Sequence, residues 1–222
     1  MTWSPPVWCF RSLSVCAMRL FYTPGTGRPF RVAWLLAEAG VSFDAVEVGW
    51  DARDGTEHRA RSPLGRVPAL ELDDGTVLFD STAILLQLAD LYPEAGFVGP
   101  LGSQERADAY AWALTAMTEM EPTSIQWGIF KDETGRERYL EAAEVCAQAL
   151  DGREFFVGDR LGLADIVLAG VLLGAEHFGL SPDSPPSLAD YLAGLRARPH
   201  FMDGLQRTQS FYLRSLGGGR NG

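Results

Sequence analysis

The chain has 222 residues, 46% of them hydrophobic and 22% charged, an ordinary globular make-up long enough for one large domain or two small ones. Its net charge of −10 argues against a surface for nucleic acid or an anionic membrane, which needs excess Lys and Arg, but leaves room for a local basic pocket. Three cysteines, Cys9, Cys16 and Cys146, form an odd set without metal-like spacing, which fits neither a disulfide framework nor a zinc site and suits a reducing, cytoplasmic compartment.

Residues 1–17 read as an extension, disordered or upstream of the true start, because Arg11 interrupts the apolar stretch a signal peptide would need. "MRLFY" then reads as a strand, and "RPFRVAWLLAEAG" as a helix with Pro29 in its first turn and Gly40 as its stop. Apolar side chains lie nearly all round that helix, so it is expected to be mostly buried. "VSFDAVEVGW" alternates as a strand does, and strand, helix and strand at this spacing make a βαβ unit with parallel strands.

"DARDGTEHRARSPLGR" reads as irregular, and "VPALELDDGTVLF" as a hairpin turned at Asp74 and Gly75. "DSTAILLQLADLYP" is a helix capped by Asp80 or Ser81 and stopped before Pro93. The Pro- and Gly-rich stretch 93–103 is a linker. Beyond it the long segments read as helices: 104–127, 136–150, 163–177, 187–197 and 199–211. The apolar run 166–175 is too short to span a bilayer and reads as a buried helix. The domain boundaries are therefore 18–92 for a mixed α/β domain and 104–212 for an all-α domain, with 213–222 a disordered tail.

The chemistry concentrates in "FYTPGTGRPFRV", residues 21–32. A nucleotide-binding turn needs a third glycine where Phe30 stands, and a disulfide-exchange turn needs a Cys pair at the helix start, where there is none. What remains is a helix amino end with free N–H groups and a positive dipole, beside the hydroxyls of Tyr22, Thr23 and Thr26. A hydroxyl that donates to a thiolate lowers the thiol's pKa. Taken alone, the same hydroxyls could equally do no more than cap the helix and close the turn.

"FYTPGTGRPFRVAWLLAEAG", "SPLGRVPALELDDGTVLFDSTAIL" and "FFVGDRLGLADIVLAG" together resemble the cytosolic-type glutathione transferases over about residues 18–212. The resemblance implies a thioredoxin-like N-terminal domain, an all-helical C-terminal domain and a homodimer. It implies that Pro68 is a cis proline that turns the Val67 backbone toward the cysteinyl part of glutathione. Asp80 would face the γ-glutamyl ammonium, and Ser81 with its helix N–H groups the γ-glutamyl carboxylate. Arg66, and more weakly Arg28, would face the glycine carboxylate. Thr26 falls near the activating Ser of several classes and Tyr22 matches the strand-end Tyr of others, so both are candidate catalytic hydroxyls, with Thr26 narrowly ahead of Tyr22 and Thr23 third. The absence of Cys from this turn argues against the members that form a mixed disulfide with glutathione.

Gly162 departs from the usual Ser or Thr three residues before Asp165, at a cost of a few tenths of a kcal/mol. The implied function is a detoxifying transferase that takes glutathione as co-substrate, needs no metal, and adds the thiolate to a small apolar electrophile. A glutathione-dependent isomerase or dehalogenase, or a non-catalytic binding module, stays open on the same scaffold. Tyr110, Trp112, Met117, Met120, Trp127 and Phe130 could line the electrophile pocket, but aromatic and Met residues at helical spacing more often form a core or dimer face. Cys146 reads as inert packing. The scattered His58, His177 and His200 suggest neither a metal site nor a hydrolytic triad.

Overall fold

In the computed structural model, which describes residues 18–180 and 186–213, the first domain is built on a four-stranded sheet. Strand β1 (Met18–Tyr22) is followed by helix α1 (Arg28–Glu38) and strand β2 (Phe43–Glu47). Helix α2 (Thr56–Arg61), strands β3 (Ala69–Glu71) and β4 (Val77–Phe79), and helix α3 (Ser81–Leu91) complete it. The sheet order is β2-β1-β3-β4. β1 and β2 run parallel, with Met18 opposite Phe43, while β3 lies antiparallel to both β1 and β4. This is the predicted βαβ unit followed by a hairpin. Residues 1–17 and 214–222 lie outside the described residues.

Residues 51–66 differ from the irregular stretch expected. They hold one tight helical turn (Asp51–Asp54) and α2. Arg61 pairs with Glu57 one turn back at 2.6 Å, and the buried His58 ring lies 3.0 Å from the Arg66 carbonyl. Contacts of one or two turns are too short to leave an amphipathic period in the sequence.

The second domain contains α4 (Gln104–Thr115), α5 (Glu121–Phe130), α6 (Glu133–Leu150), α7 (Leu163–His177), α8 (Pro186–Arg196) and α9 (Pro199–Arg207). A π-helical turn, Ala116–Met120, joins α4 to α5, so the single helix expected over 104–127 carries an inserted wide turn. Helix α6 starts earlier than expected because Asp132 caps it, accepting from the Thr134 N–H at 2.9 Å. Helix α9 stops at Arg207, short of the expected 211, and residues 208–213 form a separate segment.

Helix α1 holds the two domains together. Phe30 stacks on Trp34 with ring centroids 5.5 Å apart, and Phe201 of α9 meets both rings edge-on at 5.0 Å. Gly204 lets α9 come this close, since a Cβ there would lie 3.1 Å from Trp34. Leu163 to Ala175 of α7 are all buried. Among the described residues no helix is long and apolar enough to cross a membrane.

Candidate active site

Helix α1 begins after Gly27 with no side-chain cap; Pro29 has no N–H to offer and the Phe30 N–H donates to the Gly27 carbonyl at 3.3 Å, which leaves the Arg28 N–H and the positive end of the dipole. Gly27 and Arg28 line a cleft of about 510 Å³ between the domains, opposite Arg66 of the first domain and Glu121, Ser124 and Ile125 of α5. Gly170, Val171 and Gly174 of α7 form its floor, with Phe178, Phe211 and Tyr212 as the remaining wall. This volume is typical of a small-molecule site, mostly apolar with a few convergent polar groups.

The three hydroxyls of the β1–α1 turn are used differently. Thr23 is fully buried and donates to the Val48 carbonyl at 2.7 Å. Thr26, half-buried, donates to the Thr23 carbonyl at 2.6 Å and so closes the turn. Tyr22 is buried and accepts from Gln209 Nε2 at 2.7 Å. Among the described residues its own hydroxyl hydrogen has no acceptor.

The Val67–Pro68 bond is cis, as the resemblance implies, and Val67 and Pro68 are both buried beside the exposed Arg66. Asp80 caps α3 through one oxygen, Oδ1, which accepts from Thr82 N at 3.0 Å and Ala83 N at 3.2 Å. Its backbone has a φ of 67°, a left-handed setting uncommon for a non-glycine residue and worth explaining by function. Ser81 and Thr82 are buried, and their hydroxyl oxygens have no partner among the described residues. Of the predicted site residues, Arg66 lines the cleft. Tyr22, Thr26, Val67, Pro68, Asp80 and Ser81 do not, and stand on the β1–α1 turn and at the two junctions that flank the hairpin.

Sequence reading missed an ion-pair group on the cleft wall. Arg31 is fully buried in α1 and donates to Glu121 Oε1 at 2.8 Å and Met117 Sδ at 2.9 Å. Arg28 pairs with the other oxygen of Glu121 through Nε and Nη2. Burial alone would raise the Glu121 carboxyl, but the two arginines overcome it and hold it below the usual carboxylate range. Burial likewise disfavours the charge on Arg28, yet Glu121, helped by the nearby Asp80, holds that guanidinium above its ordinary value. One signal was present: Arg31 is the one charge within the apolar stretch 29–37, and a charge buried there requires a counter-charge.

None of the six aromatic and Met candidates for the electrophile pocket lines the cleft. Trp112 packs on Phe156 with centroids 4.9 Å apart, Met120 and Cys146 touch in the core at 3.5 Å, and Phe130 is exposed at the end of α5. The apolar wall comes instead from Ile125, Val171, Phe178, Phe211 and Tyr212. Cys146 is buried packing, its thiol pushed up to about 11 by desolvation. Among the described residues no group of His, Cys, Asp or Glu could hold a metal ion.

A mixed four-stranded sheet with a cis-proline turn and helices at its faces, joined to an all-helical domain, defines the thioredoxin-like two-domain transferase fold. Family models for the glutathione S-transferase N-terminal domain and C-terminal domain match residues 29–91 and 107–199. The chain belongs to the glutathione S-transferase family. It is 29% identical over 201 residues to maleylacetoacetate isomerase of Pseudomonas aeruginosa, covering 83% of this chain and 93% of that one. It is 32% identical over 176 residues to human glutathione S-transferase A3, covering 73% and 76%. The crystal structure of a glutathione transferase from Methylococcus capsulatus superposes with a TM-score of 0.77 at 29% identity, covering 86% of this chain and 98% of that one.

Proposed function

We propose that this glutathione transferase binds glutathione at the β1–α1 turn, holds its sulfur as the thiolate, and transfers it to a small apolar electrophile in the interdomain cleft. The observation that carries the reading is the meeting of the uncapped end of α1, Arg28 and Arg66 on one cleft. These are the groups an anionic tripeptide needs, since glutathione carries two carboxylates and one ammonium. Asp80 and the unpartnered Ser81 hydroxyl suit the γ-glutamyl end, and the backbone beside cis Pro68 suits the cysteinyl part. Arg66 is free to meet the glycine carboxylate, whereas Arg28 is already engaged by Glu121.

Tyr22 takes the place of Thr26, which the sequence put first, as the preferred thiol donor. A donor needs a hydrogen to give, and the Thr26 hydroxyl would first have to release the Thr23 carbonyl. The electrophile meets the apolar wall of Ile125, Val171 and Phe178. Catalysis is then positioning plus electrostatic stabilisation of sulfur charge, with no covalent enzyme intermediate. A homodimer and a cytoplasmic location belong to the same reading. The exposed apolar Phe79, Leu91 and Leu114 support the dimer, and the free Cys146 supports a reducing compartment.

Calorimetric titration with glutathione, followed by turnover on a panel of apolar electrophiles, tests the proposal. Binding with stoichiometric consumption of glutathione is expected. Product formed without net consumption would identify an isomerase instead, and binding without turnover a non-catalytic module. No binding at all would overturn the reading.

A further inference from the structure

We propose that Gln209, in the segment after α9, is a positioning residue that aims the Tyr22 hydroxyl hydrogen at the glutathione sulfur. The inference rests on the reading of Tyr22 as thiol donor and names the group that makes it one. The Gln209 side-chain amide donates to the Tyr22 phenolic oxygen at 2.7 Å, a contact between residues 187 positions apart. A phenol has one hydrogen and acceptor lone pairs. An amide N–H on the oxygen therefore leaves that hydrogen for another acceptor. It also stabilises negative charge developing on the phenolic oxygen, which strengthens the O–H as a donor.

Gln209 is held for this contact on several sides. Its carbonyl accepts from the Gly25 N–H at 3.0 Å, within the β1–α1 turn itself. Its φ of 45° is left-handed, an unusual setting for a residue with a side chain. Just beyond it the Ser210 N–H donates to the Leu205 carbonyl at 3.0 Å. Three residues on, the buried Tyr212 hydroxyl donates to the Gly170 carbonyl at 2.9 Å. The same hydroxyl fills the space a Gly27 Cβ would take, 2.5 Å from that point. The segment thus ties the turn to α7 and delivers one amide to one phenol.

The test is ultraviolet titration of the bound thiol in the full-length protein, with glutathione saturating, in wild type, Gln209→Ala and Gln209→Glu, each with and without Tyr22→Phe. Gln209→Ala is expected to raise the bound thiol's pKa, leaving about threefold to tenfold less thiolate at a given pH. It should lower kcat while leaving the KM for glutathione nearly unchanged. Gln209→Glu keeps the size of the side chain but offers only acceptors, so it should capture the Tyr22 hydrogen and raise the pKa as far as Tyr22→Phe does. In the Tyr22→Phe background neither change should have a further effect. Folded Gln209 variants with the wild-type thiol pKa would overturn the inference, as would an equal shift without the phenol. A Tyr22→Phe protein that itself keeps the wild-type value would remove the Tyr22 reading, and the inference with it.

Discussion

Asp80 and Asp165 both stand at the amino end of a helix, and the fold uses them in opposite ways. Asp165 is fully buried and each of its oxygens is engaged. Oδ1 accepts from the Phe156 N–H at 2.7 Å and the Tyr191 hydroxyl at 2.6 Å, and Oδ2 from the Gly162 N–H at 2.7 Å. Asp80 is exposed and caps through a single oxygen, with a left-handed backbone and an unpartnered Ser81 hydroxyl beside it. The difference separates a structural carboxylate from the one proposed to meet glutathione. A carboxylate satisfied from within stabilises the fold, and one left half-used and exposed is available to a ligand.

Replacing each in turn sharpens that contrast. Asp165→Ala would strand three buried donors, each costing about 1–3 kcal/mol, so a loss of about 4 kcal/mol is expected from urea denaturation. Glutathione affinity of the folded fraction should stay unchanged.

Glu121 stands between the two cases, since it holds the fully buried Arg31 and also the half-exposed Arg28 on the cleft. Glu121→Gln should cost about 3 kcal/mol by leaving Arg31 without its counter-charge. Because the folded carboxyl lies below its ordinary value of 4.5, the stability it supplies is present above that pH. It is lost as pH falls through the lower folded value. Acid denaturation of wild type should therefore steepen below pH 4.5, and the Gln variant should lack that part of the pH dependence.

Asp80→Ala reverses the Asp165 pattern. About 1 kcal/mol of stability should be lost with the cap. Calorimetry should show glutathione bound roughly thirtyfold more weakly, about 2 kcal/mol. A variant that bound glutathione normally would erase the distinction between the two aspartates.

Local periodicity made the frame legible. β1, α1, β2, the hairpin and α3 follow from alternation, the placement of Pro29 and the turn at Asp74 and Gly75, and the helical domain from its apolar stripes. Asp165 reaches back to the Gly162 N–H even though Gly162 has no capping side chain. The resemblance supplied the cis bond at Pro68. What stayed hidden depends on residues far apart in sequence. The Arg31–Glu121 pair spans 90 positions and Gln209–Tyr22 spans 187; neither leaves a local pattern. The apolar cleft wall stayed hidden for a related reason. Periodicity shows that Trp112 and Met120 point inward from their helix, but not which side of the bundle receives them. Ile125, Phe178 and Phe211 are unremarkable in sequence and become a wall only when α5, α7 and the last segment converge.

On the proposed reading, the turn between β1 and α1 keeps a bound tripeptide's sulfur ionised at neutral pH. Ultraviolet titration of the wild-type glutathione complex measures this directly. A thiol pKa about two units below the ordinary ~8.5 is expected, equivalent to ~2.7 kcal/mol in favour of the charged form. A complex that forms but titrates at the ordinary value would contradict it.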